Sequence, residues 1–165
     1  MPPASAHAAV AVIALGSNLG DRTGSLEAAL AELARLPLTD RVRASRAMET
    51  IAVTAKGPDA SVPRYLNAVA LVTTRLAPSV LLDHLHAIEA RHGRERLERW
   101  GDRTLDLDLI AYGDVVSDDP RLTLPHPRAA GRDFVLAPWL ELDPEAELPG
   151  RGAVSRLLAR VRESS

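Results

Sequence analysis

Residues 103–110 read RTLDLDLI, with Asp106 and Asp108 alternating with Leu105, Leu107 and Leu109 directly after Arg103. In an extended strand, residues two apart share a face and lie roughly 6.5–7 Å apart. The three leucines therefore line one face and the two carboxylates the other. Two carboxylates that close both stay ionised when water screens them or a cation bridges them; otherwise one pKa rises and the pair shares a proton. An amphipathic strand with a wet face satisfies the pattern. So does a Mg²⁺ site, because that ion takes one or two carboxylates and fills its shell with water and substrate phosphates.

The residues just upstream favour the second reading. Arg91, Arg94, Arg96, Arg99 and Arg103 crowd into RHGRERLERWGDR. A planar guanidinium fork matches phosphate oxygens. A solvated loop balanced by Glu95, Glu98 and Asp102 would explain the run by itself. Next to paired carboxylates, it fits phosphoryl or pyrophosphoryl transfer, in which metal bridges phosphate oxygens and cations neutralise developing charge. ALGSNLGD (14–21) places Gly16 and Gly20 at a strand-to-helix turn. It lacks the Gly-Lys-Ser/Thr of a P-loop and is read as a tight turn. His126 is pinned between two prolines and followed by Arg128 and Arg132, which suits a phosphate or base contact. His84, His86 and His92 lie at mixed faces of a helix without zinc-type partners and are read as surface.

The elements that must position these residues follow from periodicity. Residues 8–15 are a continuous apolar run, read as a buried strand. From Ser25 the apolar residues Leu26, Ala29, Leu30, Leu33 and Leu36 recur at helical spacing, and Pro37 ends the pattern. Residues 41–50 alternate weakly as an exposed strand. The Gly/Pro-bearing stretch 51–63 is a long connection of the kind that often binds or closes over a ligand. YLNAVALVTT (65–74) reads as a buried strand. Pro78 opens a second helix with the stripe Leu81, Leu82, Leu85 and Ile88, and Gly93 is its expected stop. The order β-α-β-β-α-β predicts an α+β, ferredoxin-like core: an antiparallel sheet with both helices on one face. A turn, a helix around 128–140 and a terminal helix form a C-terminal extension. A chain of 165 residues with 46% hydrophobic and 25% charged residues fits one domain, with its core over about 8–149.

The totals exclude several functions. A net charge of −2 does not draw the molecule to nucleic acid or anionic membrane. The absence of cysteine removes disulfides, thiolate metal sites and cysteine nucleophiles, and fits a reducing compartment. The run 8–15 is too short to span a bilayer. No Lys or Arg precedes it, so it is not read as a signal core. The expectation is a cytoplasmic protein that engages neither nucleic acid nor membrane. Lys56 is the only lysine, and aromatics make up just 3% of the chain, which lends weight to Tyr65, Trp100 and Phe134.

Four blocks carry a resemblance. ALGSNLGDR, YLNAVAL, AIEARHGRERLERWGDRTLDLDLI and LTLPHPRAAGRDFVLAPWLEL resemble, in order from about residue 11 to residue 149, the signature segments of the 6-hydroxymethyl-7,8-dihydropterin pyrophosphokinase (HPPK) family of folate biosynthesis. Spacing by itself gives metal-dependent phosphoryl transfer; the pterin comes from the resemblance. The resemblance implies a ferredoxin-like fold and transfer of the terminal pyrophosphate of ATP to the hydroxymethyl group of the dihydropterin. AMP is released and two Mg²⁺ ions take part. By position it implies that Asp106 and Asp108 hold the ions, and that Arg94 and Arg103 stabilise the transferring group. Arg96, Arg121, His126 and Arg132 would bind ATP, with Glu89 at a nucleotide-site position. Tyr65 and Phe134 would sandwich the pterin ring, Thr50 and Asn67 would hydrogen-bond its polar edge, and Trp100 would close over it.

The loops 51–64 and 93–102 would then act as lids that exclude water from the triphosphate. No general base is evident, and metal-assisted positioning suffices. Some features depart from the family pattern. TIAVTAKGP stands where many members read Thr-Pro-x-Gly, and the segment from Arg94 to Trp100 is a residue shorter than in some. Pro127 replaces an aromatic and His86 a glutamine found in some members.

Two other classes compete. A non-catalytic nucleotide-sensing module of the same fold accounts for some arginines but gives Asp106 and Asp108 no reason to share a face. An RNA-binding sheet would carry aromatics and a basic face on its central strands, where this sequence has AVAVIAL and two aspartates. The expected partners are therefore small molecules, ATP and the dihydropterin, acting on a monomer.

Overall fold

The computed structural model describes residues 7–18, 20–50, 53–54, 57–58, 64–97 and 105–164. In chain order the elements begin with β1 (Ala9–Ser17), α1 (Arg22–Ala34), β2 (Thr39–Ala44) and β3 (Met48–Thr50). A small hairpin of β4 (Val53–Thr54) and β5 (Gly57–Pro58) precedes β6 (Tyr65–Thr74), α2 (Pro78–Leu97) and β7 (Leu105–Tyr112). A second hairpin, β8 (Ser117–Asp119) and β9 (Leu122–Leu124), leads to a 3-10 turn at Ala129–Gly131 and α3 (Asp133–Leu142). The pair β10 (Glu147–Leu148) and β11 (Gly152–Ala153) then introduces α4 (Val154–Glu163).

The main sheet has the order β2-β6-β1-β7, with β3 continuing beside β6, and every pairing is antiparallel. Strands β1 and β2 are thus parallel to each other with β6 inserted between them. This is the split β-α-β arrangement expected from the element order. Helices α1 and α2 both pack on one face. Leu26, Ala29 and Leu33 from α1, and Leu81, Leu85 and Ile88 from α2, meet Ile13, Leu15, Ala70 and Leu107 in one core. Helix α1 starts where it does because Gly20 turns the chain with φ 64° and the Asp21 carboxylate accepts the Gly24 N–H at 2.9 Å, an N-cap.

The C-terminal extension covers part of the opposite face. Val135, Leu136 and Trp139 of α3, and Leu157 and Leu158 of α4, pack on Val12, Val69, Leu71 and Ile110. Burial on both faces is the reason β1 and β6 read as continuous apolar runs rather than alternating ones. A bulge sits between Val12 and Ile13 of β1, which pair with Ala111 and Leu109 and leave Ile110 as the extra residue. The bulge lets both Ile110 and Ala111 serve the second core, and it returns Tyr112 to the first, where its hydroxyl donates to the Leu76 carbonyl.

The structure differs from the sequence reading at five places. Helix α2 runs through Gly93 to Leu97. The turn before Gly93 is anchored from outside the helix by Glu32, and such tertiary contacts are of the order of the roughly 1 kcal/mol that a helical glycine costs. The stretch 41–50 is split into β2 and β3, interrupted at Ser45, whose hydroxyl accepts the Val69 N–H at 2.9 Å. Gly16 lies within β1 and not in the turn that follows it. The helix expected around 128–140 is broken at Arg132, which has extended φ/ψ of −115°/102° between the 3-10 turn and α3. The β8–β9 hairpin was not foreseen, because each strand is only three residues long and too short to show a period.

Candidate active site

The second core covers only one end of its sheet face. Register explains where it stops: Val12 pairs with Leu71 and Ala111, Ala14 with Val69 and Asp108, and Gly16 with Asn67 and Asp106. Moving along β1, the side chain on this face shrinks from valine to alanine to nothing. The open end is a cavity of about 270 Å³ with Ala14 and Gly16 as its floor. Tyr65, Asn67, Thr50 and Phe134 line it together with Asp106, Asp108 and Arg132. A methyl group at Gly16 would stand 3.1 Å from Asn67 Oδ1, so the floor is fitted closely to that side chain. Asn67 is buried at 7% exposure, and its Nδ2 donates to Thr50 Oγ1 at 2.5 Å across the β3–β6 pair.

A second cleft, of about 220 Å³, lies along the other side of β7. His86, Arg121, Thr123, His126 and Pro127 contribute to it, and Asp108 lines both spaces. The β8–β9 hairpin supplies Arg121. His126 is held by its own N–H, which donates to the Ile110 carbonyl at 2.8 Å, and its Nδ1 accepts the Arg128 N–H at 3.1 Å. Burial lowers the pKa of His126. The positive charges of Arg132 and Arg128 act in the same direction, and Asp108 acts against them. A neutral imidazole is thus favoured beside Asp108.

Asp106 and Asp108 point to the cavity face, as their alternation with the buried Leu105, Leu107 and Leu109 requires. Arg132 Nη1 lies 3.9 Å from Asp108 Oδ2, and its guanidinium carbon is 5.6 Å from the centre of the Phe134 ring. Arginine over an aromatic face is a favourable electrostatic contact. It keeps Arg132 at the rim of the larger cavity, on the Phe134 side of Asp108, while Arg121 and His126 stand on the other side. Glu89 has a positional role: its Oε2 accepts the Leu107 N–H at 2.8 Å and ties α2 to the aspartate strand. Arg94 and Arg96 belong to the last turns of α2. Their side chains, and all of Trp100 and Arg103, lie outside the described residues.

The carboxylate pair fits a hard divalent cation. Two carboxylates on one strand face, both opening on the cavity, suit Mg²⁺. Among the described residues no group of three His, Asp or Glu could hold an ion. An ion at this pair would draw its remaining ligands from phosphate and water.

Sequence reasoning misplaced four residues, three of which line the two spaces. Ala14 and Gly16 form the floor, which becomes visible only once β1 is in register with β6 and β7. His86 faces the second cleft from α2, one turn beyond Leu82, which lines the same cleft. His92, read as surface, is only 13% exposed in its side chain, and its Nε2 lies 2.8 Å from Glu32 Oε2.

Residues 12–144 match the family described as 7,8-dihydro-6-hydroxymethylpterin-pyrophosphokinase (HPPK). The chain belongs to the HPPK family. It is 41% identical over 153 residues to the 2-amino-4-hydroxy-6-hydroxymethyldihydropteridine pyrophosphokinase of Haemophilus influenzae, covering 93% of each chain. It is 43% identical to the Pseudomonas aeruginosa protein of the same name, covering 89% of this chain and 88% of that one. Among solved structures, an HPPK-DHPS crystallised with substrates superposes with TM-score 0.67 at 12% identity, over 95% of this chain and 44% of that chain. The wild-type HPPK-DHPS of Plasmodium falciparum gives 0.65 at 13% identity, over 93% of this chain and 41% of that one. The chain therefore spans less than half the length of these HPPK-DHPS chains, and the likeness to them is one of fold.

Proposed function

We propose that this chain is a 2-amino-4-hydroxy-6-hydroxymethyldihydropteridine pyrophosphokinase. It transfers the terminal pyrophosphate of ATP to the hydroxymethyl group of 6-hydroxymethyl-7,8-dihydropterin and releases AMP, as a step of folate biosynthesis. The observation that carries this reading is the position of Asp108, which lines both the aromatic cavity and the Arg121–His126 cleft. A group transferred between two substrates must cross such a junction.

The larger cavity has the chemistry for a pterin. Tyr65 and Phe134 offer ring faces for stacking, and Thr50 and Asn67 offer hydrogen-bonding groups for the polar edge. The second cleft receives ATP, with Arg121 and the neutral His126 on its walls and Arg96 as a further ATP-binding residue. Arg132, at the rim, reaches the polyphosphate from the pterin side. Arg94 and Arg103 stabilise charge on the transferring group, Trp100 closes over the pterin, and Glu89 keeps β7 in register with α2.

Asp106 and Asp108 would hold the two Mg²⁺ ions, which when bound would supply neutralising charge for the phosphates and make the attacking hydroxyl more acidic. The protein itself supplies position. It holds the hydroxymethyl group beside Asp106 and Asp108 on the sheet face, and it offers cations fixed before the charge develops. No helix among the described residues is long and apolar enough to cross a membrane. A cytoplasmic monomer working on two small molecules is the setting that fits. A nucleotide-sensing module that does not turn over is disfavoured, because it leaves the aromatic cavity without an occupant.

The test is AMP release from ATP with 6-hydroxymethyl-7,8-dihydropterin and Mg²⁺, for wild type and Asp106→Ala. Pterin-dependent AMP formation that disappears in the variant is expected. Wild type that binds ATP yet forms no AMP with fresh pterin overturns the enzymatic reading.

A further inference from the structure

The aromatic cavity depends on two chain segments that meet at a single rung. Thr50, the last residue of β3, pairs with Tyr65, the first residue of β6. Residues 51–64 link the two in sequence. Both stems of that connection carry cavity residues, and their separation sets where Thr50 and Tyr65 stand relative to Gly16 and Asn67.

Arg22 grips both stems. It is the first residue of α1, immediately after the Gly20–Asp21 turn that follows β1. Its Nη2 donates to Glu49 Oε1 at 2.7 Å, one residue before Thr50. Its Nη1 donates to the Arg64 carbonyl at 2.9 Å, one residue before Tyr65. The second Glu49 oxygen lies 3.8 Å from Arg64 Nη1, so the Glu49 carboxylate serves both arginines. The two arms of one planar guanidinium are thus spent on two strands, a geometry that lysine cannot reproduce because its ammonium is a single point.

Helix α1 does not need this contact. Its N-terminus is capped by Asp21, and it is anchored by Leu26, Ala29 and Leu33 in the core. The side chains of Arg22 and Glu49 are 30% and 46% exposed, and an ion pair so placed adds little to global stability. What the contact does fix is the local distance between the two stems.

We infer that Arg22 is a positioning residue for the pterin subsite: it clasps the two stems of the 51–64 loop and so sets Thr50 and Tyr65 for the ring. This rests on the reading of the aromatic cavity as the pterin site. The nucleotide cleft is built from α2, β7 and the β8–β9 hairpin, which Arg22 does not touch in the contacts above.

The experiment compares wild type with Arg22→Ala, Arg22→Lys and Glu49→Gln. It reads the Kd of Mg²⁺ with a non-hydrolysable ATP analogue, the Kd of 6-hydroxymethyl-7,8-dihydropterin in the presence of that analogue, and Tm. In Arg22→Ala, pterin binding should weaken by about three- to tenfold, the range expected for losing one to two modest polar contacts. The analogue Kd should stay within about twofold. Arg22→Lys should recover part of the loss, and Glu49→Gln, which keeps an acceptor and the fold, should fall between wild type and Arg22→Ala. In turnover the change should appear in the pterin KM before kcat. Equal pterin binding in wild type and Arg22→Ala overturns the inference, as does a parallel loss of both ligands with a fall in Tm. Wild type that binds the analogue but no pterin fails the underlying reading of the cavity, a result distinguishable from either.

Discussion

Replacing Gly16 by alanine separates binding from stability. The added methyl carbon would lie 3.1 Å from Asn67 Oδ1 and 3.6 Å from Tyr65 Cδ1. The second distance is ordinary contact; the first is a few tenths of an ångström too short. Asn67 has little room to give, because its amide nitrogen already donates to Thr50 Oγ1 at 2.5 Å. Its retreat stretches that hydrogen bond and moves a group that lines the proposed pterin cavity. A net hydrogen bond is worth about 0.5–1.5 kcal/mol, so pterin affinity should fall by about two- to tenfold.

Stability should respond differently to the same change. Gly16 sits in a strand with ordinary backbone angles, where alanine fits and removes about 0.4–1 kcal/mol of unfolded-state entropy. That gain offsets the strain at Asn67, leaving Tm nearly unchanged. The assay is pterin titration by fluorescence alongside thermal unfolding of the same samples. Pterin affinity within twofold of wild type would refute the close fit of floor to Asn67. A large drop in Tm would refute the claim that the strand accepts a side chain there.

Three further outcomes follow from the structure. His126 has a folded pKa below its ordinary 6.5, so the unfolded chain takes up the proton first. Stability should be full above about pH 6.5 and decline as the pH falls through the lower folded value; urea unfolding at several pH values should show this slope and its loss in His126→Gln. Burial opposes the charge on Glu32, but hydrogen bonds from Arg91 and His92 outweigh it and hold its pKa below 4.5. Its stabilisation is present above the ordinary carboxylate value and lost as pH falls through the folded one, so Glu32→Gln should cost about 1 kcal/mol at neutral pH and little in strong acid, by chemical denaturation. Tyr112→Phe leaves the Leu76 carbonyl without its hydroxyl donor in the core and should cost about 1–2 kcal/mol in urea unfolding, with AMP formation intact.

Much of this protein is determined locally. The alternation of Asp106 and Asp108 with three leucines follows from the two-residue period of a strand. One face of β7 then had to be core and the other had to meet water or a ligand. The helical stripes of α1 and α2 and the order of the elements likewise specify a split β-α-β sheet, since apolar faces can be buried together in few ways. The aromatics Tyr65 and Phe134 stood out in the sequence by their scarcity, the resemblance implied a ring between them, and both line the cavity.

Other features exist only between distant segments. Gly16 reads as a turn residue until register sets it opposite Asn67 and Asp106. The continuation of α2 past Gly93 goes with Glu32, some 60 residues away, holding Arg91 and His92. Arg132 interrupts what periodicity reads as one helix and so comes to lie between Asp108 and Phe134. Local sequence encodes which face of an element must be buried. Which residues meet across that burial, and how closely, is decided by strand register and by helices brought together from opposite ends of the chain.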